Sequence, residues 1–273
     1  MLATSPSASQ DIPVGVFDSG VGGLSVLAHI RQALPQQSLI YAADSLHAPY
    51  GSKSQAFIVD RSIQLSDFLI SRGAKALVVA CNTATAAAIG ELRRRYAIPI
   101  VGMEPAVKPA AAATRSGVVG VLATSGTLLS AQFAALLESY GRQVRVETQA
   151  CIGLVECIER GELQGAATRK LLQKYIAPLL EAGADTLVLG CTHYPFLRPL
   201  IEDIAGPDVV IIDTGAAVAR QLKHRLQDAN LLADGLAGRP GVTAFWSNAD
   251  AGSAQSVISL LWGKSVEVLR LPD

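Results

Sequence analysis

The stretch GADTLVLGCTHYP, residues 183–195, is an apolar run that ends on a cysteine and two hydrogen-bonding side chains. It nearly repeats GAKALVVACNTAT, residues 73–85, and both copies read Gly-Ala-x-x-Leu-Val-x-x-Cys. The two cysteines, Cys81 and Cys191, lie 110 residues apart. Each copy predicts a short buried strand of a parallel sheet, because such strands are continuous apolar runs rather than alternating ones.

Two further pairs of segments extend this likeness along the chain. VGVFDSGVGGLSV (14–26) parallels VGVLATSGTLLSA (119–131), and PIVGMEP (99–105) parallels VVIIDTG (209–215). The plainer explanation of such likeness is chance, because all strands of parallel sheets are rich in Val and Ile. Three pairs in the same order are harder to explain in that way. The sequence therefore predicts two related halves, each an α/β unit.

Short apolar runs alternate with helical patterns from end to end, which is typical of parallel sheets covered by helices on both faces. Helical spacing of apolar residues is clear in three stretches, 55–72, 127–140 and 165–182. The predicted strands are 14–19, 38–44, 76–82, 99–103, 117–124, 144–150, 186–192 and 209–214.

Composition narrows the class of protein. Half of the residues are hydrophobic, 17% are charged and the formal net charge is zero, so neither nucleic acid nor an anionic membrane is an expected partner. The first 11 residues lack the apolar stretch of a signal peptide and predict a short disordered tail. Four cysteines without a secretion signal indicate free thiols in a reducing cytoplasm. No cysteine or histidine spacing predicts a metal site.

Ligands of parallel sheets bind beyond the carboxyl ends of the strands. Asp18, Cys81, Thr124 and Cys191 all lie at predicted carboxyl ends. If the two halves face each other, these side chains meet in one cleft.

A cysteine at such a position precedes a predicted helix, whose N-terminus favours the thiolate. Two thiols on opposite walls suit stereoinversion at carbon, in which one removes a proton and the other supplies one. A cysteine can also be simply a small, buried hydrophobic residue. This is our interpretation of Cys151 and Cys157. Asp18 could equally be a helix cap, and His193 could be a structural histidine, although it lies inside the repeated motif.

A dinucleotide site is a competing hypothesis. Gly20-Val21-Gly22-Gly23 follows the first predicted strand. Asp44 comes about 20 residues later in the sequence, where dinucleotide-binding proteins have an acidic residue that binds the ribose. However, Ser25 replaces the third glycine, and Asp18 would place negative charge near the pyrophosphate. This hypothesis also leaves the duplicated cysteine unexplained.

Five segments, in this order and spacing, closely resemble the glutamate racemases of the aspartate/glutamate racemase superfamily. They are VFDSGVGGLSV, APYGSKS, VVACNTAT, GVLATSGT and LVLGCTHYP, and the likeness covers residues 13–222. The resemblance implies two flavodoxin-like domains, the first formed by 1–105 and completed by 214–273, the second by 106–213. It also implies a cofactor-independent site between them, a homodimer, and a cytoplasmic role in supplying D-glutamate for peptidoglycan.

The resemblance also implies a role for individual residues. Cys81 would be the base acting on D-glutamate and Cys191 the base acting on L-glutamate. Asp18 and His193 would be auxiliary acid/base groups, and Glu156 would be a further glutamate assisting His193. The implied substrate contacts are Asp18, Ser19, Tyr50, Gly51, Asn82, Thr83, Thr124, Thr127, Thr192 and His193. Two alternatives remain, a racemase of another acidic amino acid such as aspartate, and a protein that binds a partner without turnover.

Overall fold

The computed structural model describes residues 12–140, 143–233 and 239–272. The predicted tail, residues 1–11, lies outside the described residues. Across the described ranges, no helix combines the length and the apolar character needed to cross a membrane.

The first sheet has six strands in the order β10-β9-β2-β1-β3-β4, and every neighbouring pair is parallel. Its strands are β1 (Val14–Asp18), β2 (Leu39–Ala43), β3 (Ala76–Val79), β4 (Ile100–Val101), β9 (Thr243–Ser247) and β10 (Val268–Arg270).

The second sheet has four strands in the order β6-β5-β7-β8, again all parallel. They are β5 (Val118–Ala123), β6 (Arg145–Ala150), β7 (Thr186–Leu189) and β8 (Val210–Ile212). The order matches that of β2-β1-β3-β4, so the repeat seen in the sequence is also a repeat of topology.

Helices flank both sheets, and the predicted α/β class is confirmed. They are α1 (Leu24–Ala33), α2 (Gln55–Ser71), α3 (Asn82–Arg95), α4 (Val107–Ala113), α5 (Ser125–Leu128), α6 (Ala131–Tyr140), α7 (Leu154–Glu159), α8 (Ala166–Glu181), α9 (Arg198–Ala205), α10 (Gly215–Asp228) and α11 (Ala251–Trp262). Three short 3₁₀ turns lie at Ser45–His47, Tyr50–Ser52 and Tyr194–Leu197.

The eight predicted strands coincide with β1 to β8, within a few residues at their ends. The stretch 127–140, where helical spacing is clear, is helical but divided between α5 and α6. Thr124 caps α5 by accepting a hydrogen bond from the backbone N–H of Thr127, at 3.2 Å. Ser130 then caps α6 by accepting from the backbone N–H of Phe133, at 3.1 Å. Each cap starts a new helix, so the apolar spacing continues across a break.

Packing repeats as closely as topology does. A Cβ on Gly15 of β1 would lie 2.9 Å from atoms of both Leu69 and Leu77. A Cβ on Gly120 of β5 would lie 2.7 Å from Leu187 and 3.0 Å from Leu179, the matching residues of the second half. In each half a leucine from the covering helix and one from the next strand therefore fill the space over a strand glycine. This arrangement brings the helix close to the sheet.

Candidate active site

A narrow cleft lies between the carboxyl ends of the two sheets. Most of the residues predicted from the sequence line it, while Asp18 and Thr127 lie buried just behind its walls. The lining consists of Ser19, Pro49, Tyr50, Gly51, Cys81, Asn82, Thr83, Thr124, Val155, Gly190, Cys191, Thr192 and His193.

Cys81 occupies the wall formed by the first half. It caps α3, and its Sγ accepts a hydrogen bond from the backbone N–H of Ala84, at 3.4 Å. The thiol in turn donates to Oγ of Ser19, at 3.7 Å. Burial, and then the nearby Asp18 carboxylate, raise the pKa of Cys81 well above its usual value. The backbone N–H of Ala84, at the start of α3, favours the thiolate as expected, but desolvation acts in the opposite direction and outweighs it.

Asp18 is fully buried below this wall, and it joins the two halves. Its carboxylate accepts hydrogen bonds from the backbone N–H groups of Ser19 and Gly23, both at 2.6 Å. It also accepts from Oγ1 of Thr192, at 3.1 Å. Burial raises the pKa of Asp18, although the charge of His193 acts in the opposite direction. Asp18 therefore fixes the loop after β1 and contacts the second half at the same time.

Cys191 occupies the opposite wall, where it forms a chain of three groups with His193 and Glu159. Sγ of Cys191 lies 3.7 Å from Nδ1 of His193. Nε2 of His193 lies 2.6 Å from Oε1 of Glu159. Burial alone lowers the pKa of His193, but the hydrogen bonds with Cys191 and Glu159 outweigh it and raise that pKa well above its usual value. Nδ1 of His193 therefore faces the sulfur of Cys191, while Glu159 holds the far side of the ring.

The glutamate that reaches His193 is Glu159, so the assignment of that contact to Glu156 is corrected. Both belong to α7, one helical turn apart. Glu159 lies on the last turn, from which it also accepts a hydrogen bond from the backbone N–H of Val21, at 2.7 Å. Glu156 instead lines a neighbouring cavity together with Ile152. GLVECIERG contains both glutamates, and the sequence alone gave no signal to choose between them.

The glycines after β1 are explained by this contact with the second half. A Cβ on Gly20 would lie 1.9 Å from Oε1 of Glu159. A Cβ on Gly22 would lie 2.2 Å from Nδ1 of His193. The N–H groups of Val21 and Gly23 already donate to carboxylates, so they are not free to hold a phosphate. The dinucleotide hypothesis is therefore not favoured.

Three threonine hydroxyls form a triangle across the cleft. Oγ1 of Thr83, from α3, lies 2.9 Å from Oγ1 of Thr124 and 3.1 Å from Oγ1 of Thr127. The remaining side, between Thr124 and Thr127, measures 3.0 Å. Three hydroxyls have three protons, so a closed triangle uses each of them once.

Asn82 has an unusual environment, because its side chain is buried and neither its amide nitrogen nor its amide oxygen has a hydrogen-bond partner among the described residues. Unpartnered buried amides are rare, since each lost hydrogen bond costs about 1–3 kcal/mol. Because Asn82 lines the cleft, its amide is available to a ligand bound there.

The remaining two cysteines lie outside the cleft. Cys151 and Cys157 are buried free thiols that do not line the cleft. Within the part of the chain that the structure describes, no group of three or more His, Cys, Asp or Glu side chains is arranged to hold a metal ion.

Comparison with known proteins gives one consistent result. A glutamate racemase of Ectopseudomonas mendocina is 62% identical over 257 residues, which cover 94% of this chain and 97% of that protein. The Escherichia coli glutamate racemase, solved with L-glutamate and the activator UDP-MurNAc-ala, is 34% identical with a TM-score of 0.82, covering 94% of this chain and 97% of that one. The Francisella tularensis glutamate racemase, solved with D-glutamate, is 28% identical with the same TM-score, covering 96% and 98%.

The family described as Asp/Glu/Hydantoin racemase matches residues 16–222, which include both cysteine motifs and both walls of the cleft. Fold, site geometry and sequence similarity therefore agree, and the chain belongs to the Asp/Glu/Hydantoin racemase family.

Proposed function

We propose that this protein is a glutamate racemase, which interconverts L- and D-glutamate by proton transfer between two cysteines and needs no cofactor. The observation that carries the proposal is the pair of buried thiols on opposite walls of one cleft, Cys81 beside Ser19 and Cys191 beside His193. The identity of 62% to a glutamate racemase over nearly the whole chain supports the choice of substrate.

The reaction of L-glutamate begins at Cys191. Its thiolate takes the Cα proton, so that the C–H bond breaks, an S–H bond forms and the electron pair stays on the substrate as a carbanion. The thiol of Cys81 then gives its proton to the opposite face of Cα, which forms D-glutamate and leaves a Cys81 thiolate. Proton exchange with solvent restores the starting form, and D-glutamate reacts by the same steps in reverse. The raised pKa of Cys81 suits its role as a proton donor in the first direction.

The remaining polar groups of the cleft are proposed to bind the substrate. The unpartnered amide of Asn82 and the hydroxyl groups of Ser19 and Thr192 can hold the α-carboxylate and ammonium ends near the two sulfurs. Thr124 and Thr127 can donate to the side-chain carboxylate once they leave the threonine triangle. Each of these contacts is a hydrogen bond to a charged group, which is the stronger class.

The wider biological setting is also a proposal. We propose that the protein supplies D-glutamate for peptidoglycan in the bacterial cytoplasm, and that it does so as a homodimer. The four free thiols and the bacterial relatives support the compartment. We keep the division into domains 1–105 with 214–273, and 106–213. In its support, the strands of the first two ranges all belong to the six-stranded sheet, and those of the third belong to the four-stranded sheet.

Incubation of L-glutamate with the reduced protein in D₂O tests the activity. We expect the Cα proton signal to disappear in NMR spectra while the optical rotation falls to zero, because the proton that arrives on the opposite face comes from solvent. L-aspartate under the same conditions serves as the comparison for substrate length. Absence of both exchange and inversion with glutamate would overturn the proposed function, and faster inversion of aspartate would reassign the substrate.

Glu159→Gln should lower kcat/KM by roughly 10- to 100-fold, which is less than the loss of an acid–base group itself. The amide keeps the shape of Glu159 but cannot hold the charge of His193, so Cys191 loses its cationic neighbour. The fall in kcat/KM should be the same for L- and D-glutamate. The two enantiomers have the same free energy, so the ratio of their kcat/KM values stays at one in every variant. The matched control is Glu156→Gln, one turn away on α7, which should leave kcat/KM within about twofold.

The pH dependence of stability gives the same variant a second readout. Folding raises the pKa of His193, so its protonation stabilises the fold fully below the ordinary value of 6.5, and this contribution is lost as pH rises through the folded value. The difference in thermal midpoint between wild type and Glu159→Gln should therefore be largest near pH 6 and shrink at higher pH. Equal effects of the two glutamine variants on rate would contradict the assignment of Glu159.

A further inference from the structure

Asp44 is a fully buried acid that the proposed reaction does not use. It directly follows β2, and its Oδ2 accepts hydrogen bonds from the hydroxyl of Tyr50, at 2.5 Å, and from Nε of Arg61, at 3.0 Å. Its Oδ1 accepts from Nη2 of Arg61, at 2.5 Å, and from Nδ2 of Asn248, at 2.6 Å, and it lies 2.9 Å from Nδ1 of His47. We call these five residues the Asp44 cluster.

The Asp44 cluster joins three distant parts of the first half. Arg61 comes from α2, and Asn248 comes directly after β9. His47 and Tyr50 belong to the two 3₁₀ turns that connect β2 to α2. Oδ1 of Asn248 also accepts a hydrogen bond from the backbone N–H of Leu46, at 3.0 Å. The segment 45–52 is thus held through its side chains and through its backbone.

This same segment forms part of the cleft wall. Pro49, Tyr50 and Gly51 line the cleft, and Gly51 packs so closely on Thr124 of the second half that a Cβ there would lie 2.8 Å from Cβ of Thr124. The hydroxyl of Tyr50 is already bound to Asp44 and is only 1% exposed with the rest of the residue. What residues 50 and 51 offer to a ligand is therefore mainly their backbone, whose position depends on the Asp44 cluster.

The reacting thiols have other partners. Cys81 is hydrogen-bonded to Ser19 and Ala84, and Cys191 contacts His193. The Asp44 cluster therefore acts on the segment that is proposed to bind the substrate. None of its hydrogen bonds reaches the groups that move the proton. Small displacements of a binding segment are enough to weaken binding, because hydrogen bonds depend steeply on distance and angle.

We propose that Asp44 is a positioning residue for substrate binding, which holds the backbone of residues 49–51 against glutamate through Tyr50, Arg61 and Asn248. This inference rests on the proposed function, and it assigns a role to the acid that the dinucleotide hypothesis would give to a ribose. Asp44 cannot serve a ribose, because four side chains already surround its carboxylate.

The test removes one neighbour of Asp44 at a time and leaves the Asp44–Arg61 ion pair intact, since breaking a buried pair would endanger folding. Tyr50→Phe deletes one donor to Asp44. Asn248→Ala deletes another, together with the hydrogen bond that Asn248 accepts from the backbone N–H of Leu46. The matched control is Tyr96→Phe, which deletes a similar bond from the Tyr96 hydroxyl to Oδ1 of Asp67, 2.7 Å long and remote from the cleft. The readouts are KM and kcat for both enantiomers, the calorimetric Kd for D-glutamate, and the thermal midpoint.

We expect Tyr50→Phe and Asn248→Ala each to raise KM and Kd about tenfold while kcat stays within about twofold. The double variant should raise KM by less than the product of the two single effects, because both act through Asp44. Tyr96→Phe should leave KM and Kd unchanged.

A lower thermal midpoint with unchanged KM and Kd would overturn the proposal, since it would show a merely structural cluster. If Asn248→Ala does not fold, Tyr50→Phe alone decides between these outcomes. Failure of the proposed function is distinguishable, because the wild-type protein would then neither racemise nor bind glutamate, whatever the variants do.

Discussion

Cys81→Ser should lower kcat for inversion roughly 10³-fold or more, in the range expected for loss of a general acid–base group. Serine fills nearly the same space, but its hydroxyl is a much weaker acid than a thiol, so it neither gives nor takes the Cα proton at neutral pH. Cys191→Ser should be equally inactive in inversion, because each turnover in either direction uses both sulfurs.

Exchange in D₂O separates the two thiols in these variants. In Cys81→Ser, the Cys191 thiolate can still remove the Cα proton of L-glutamate and return a deuteron to the same face. L-glutamate should therefore lose its Cα proton signal without inversion, while D-glutamate should keep it. Cys191→Ser should show the opposite selectivity, since only the face of D-glutamate then has a base.

The control for these variants is Cys157→Ser, which changes a buried thiol that does not line the cleft and should retain inversion. Inversion by either active-site variant at near wild-type rates would refute the two-thiol mechanism, even though the racemase activity would stand. If Cys81→Ser instead exchanged the Cα proton of D-glutamate, and Cys191→Ser that of L-glutamate, the assignments of Cys81 and Cys191 would have to be reversed.

Gly22→Ala should lower kcat at least 10²-fold, although the change adds one methyl group. The new Cβ would lie 2.2 Å from Nδ1 of His193, so the imidazole ring has to move. His193 is 1% exposed, and Glu159 holds the far nitrogen of its ring at 2.6 Å, so movement breaks either this bond or the contact with Cys191. A misplacement of about 1 Å at a reacting group is enough for such a loss.

Gly90→Ala is the matched control, because Gly90 lies in α3 and a Cβ there would have no neighbour within 4 Å. Alanine in a helix interior should stabilise the protein by about 0.5–1 kcal/mol relative to glycine and leave the rate unchanged. Steady-state kinetics and thermal melts of both variants check this pair. A Gly22→Ala enzyme with kcat within threefold of wild type would show that the His193 ring is not held as the structure indicates.

The architecture was largely predictable, because the repeat of residues 73–85 at 183–195 reports topology as well as strands. Strands β9 and β10 were not predicted. β9 is five residues long and β10 only three, with two of its residues exposed, so neither gives a strong apolar run. β9 joins the sheet by pairing with β2, and β10 pairs with β9; both are tertiary contacts that the local sequence does not encode.

The site was predictable at the strand ends and less so elsewhere. Asp18, Cys81 and Cys191 follow strands, so topology alone brings them together. Glu159 reaches His193 from the last turn of α7, and only the packing of that helix against the loop after β1 distinguishes it from Glu156. The pKa of Cys81 was also out of reach, because burial decides its direction and burial is a property of the folded chain.

The triangle formed by Thr83, Thr124 and Thr127 has a consequence for how tightly such a cleft can hold its ligand. Every proton of the triangle is already shared between oxygens, so a carboxylate that enters must break these neutral hydrogen bonds before it gains charge-assisted ones. The neutral bonds that are lost, about 0.5–1.5 kcal/mol each, offset part of what the charged bonds contribute to binding. This limit on affinity suits a catalyst whose product is the mirror image of its substrate, because each enantiomer must leave as readily as the other arrives.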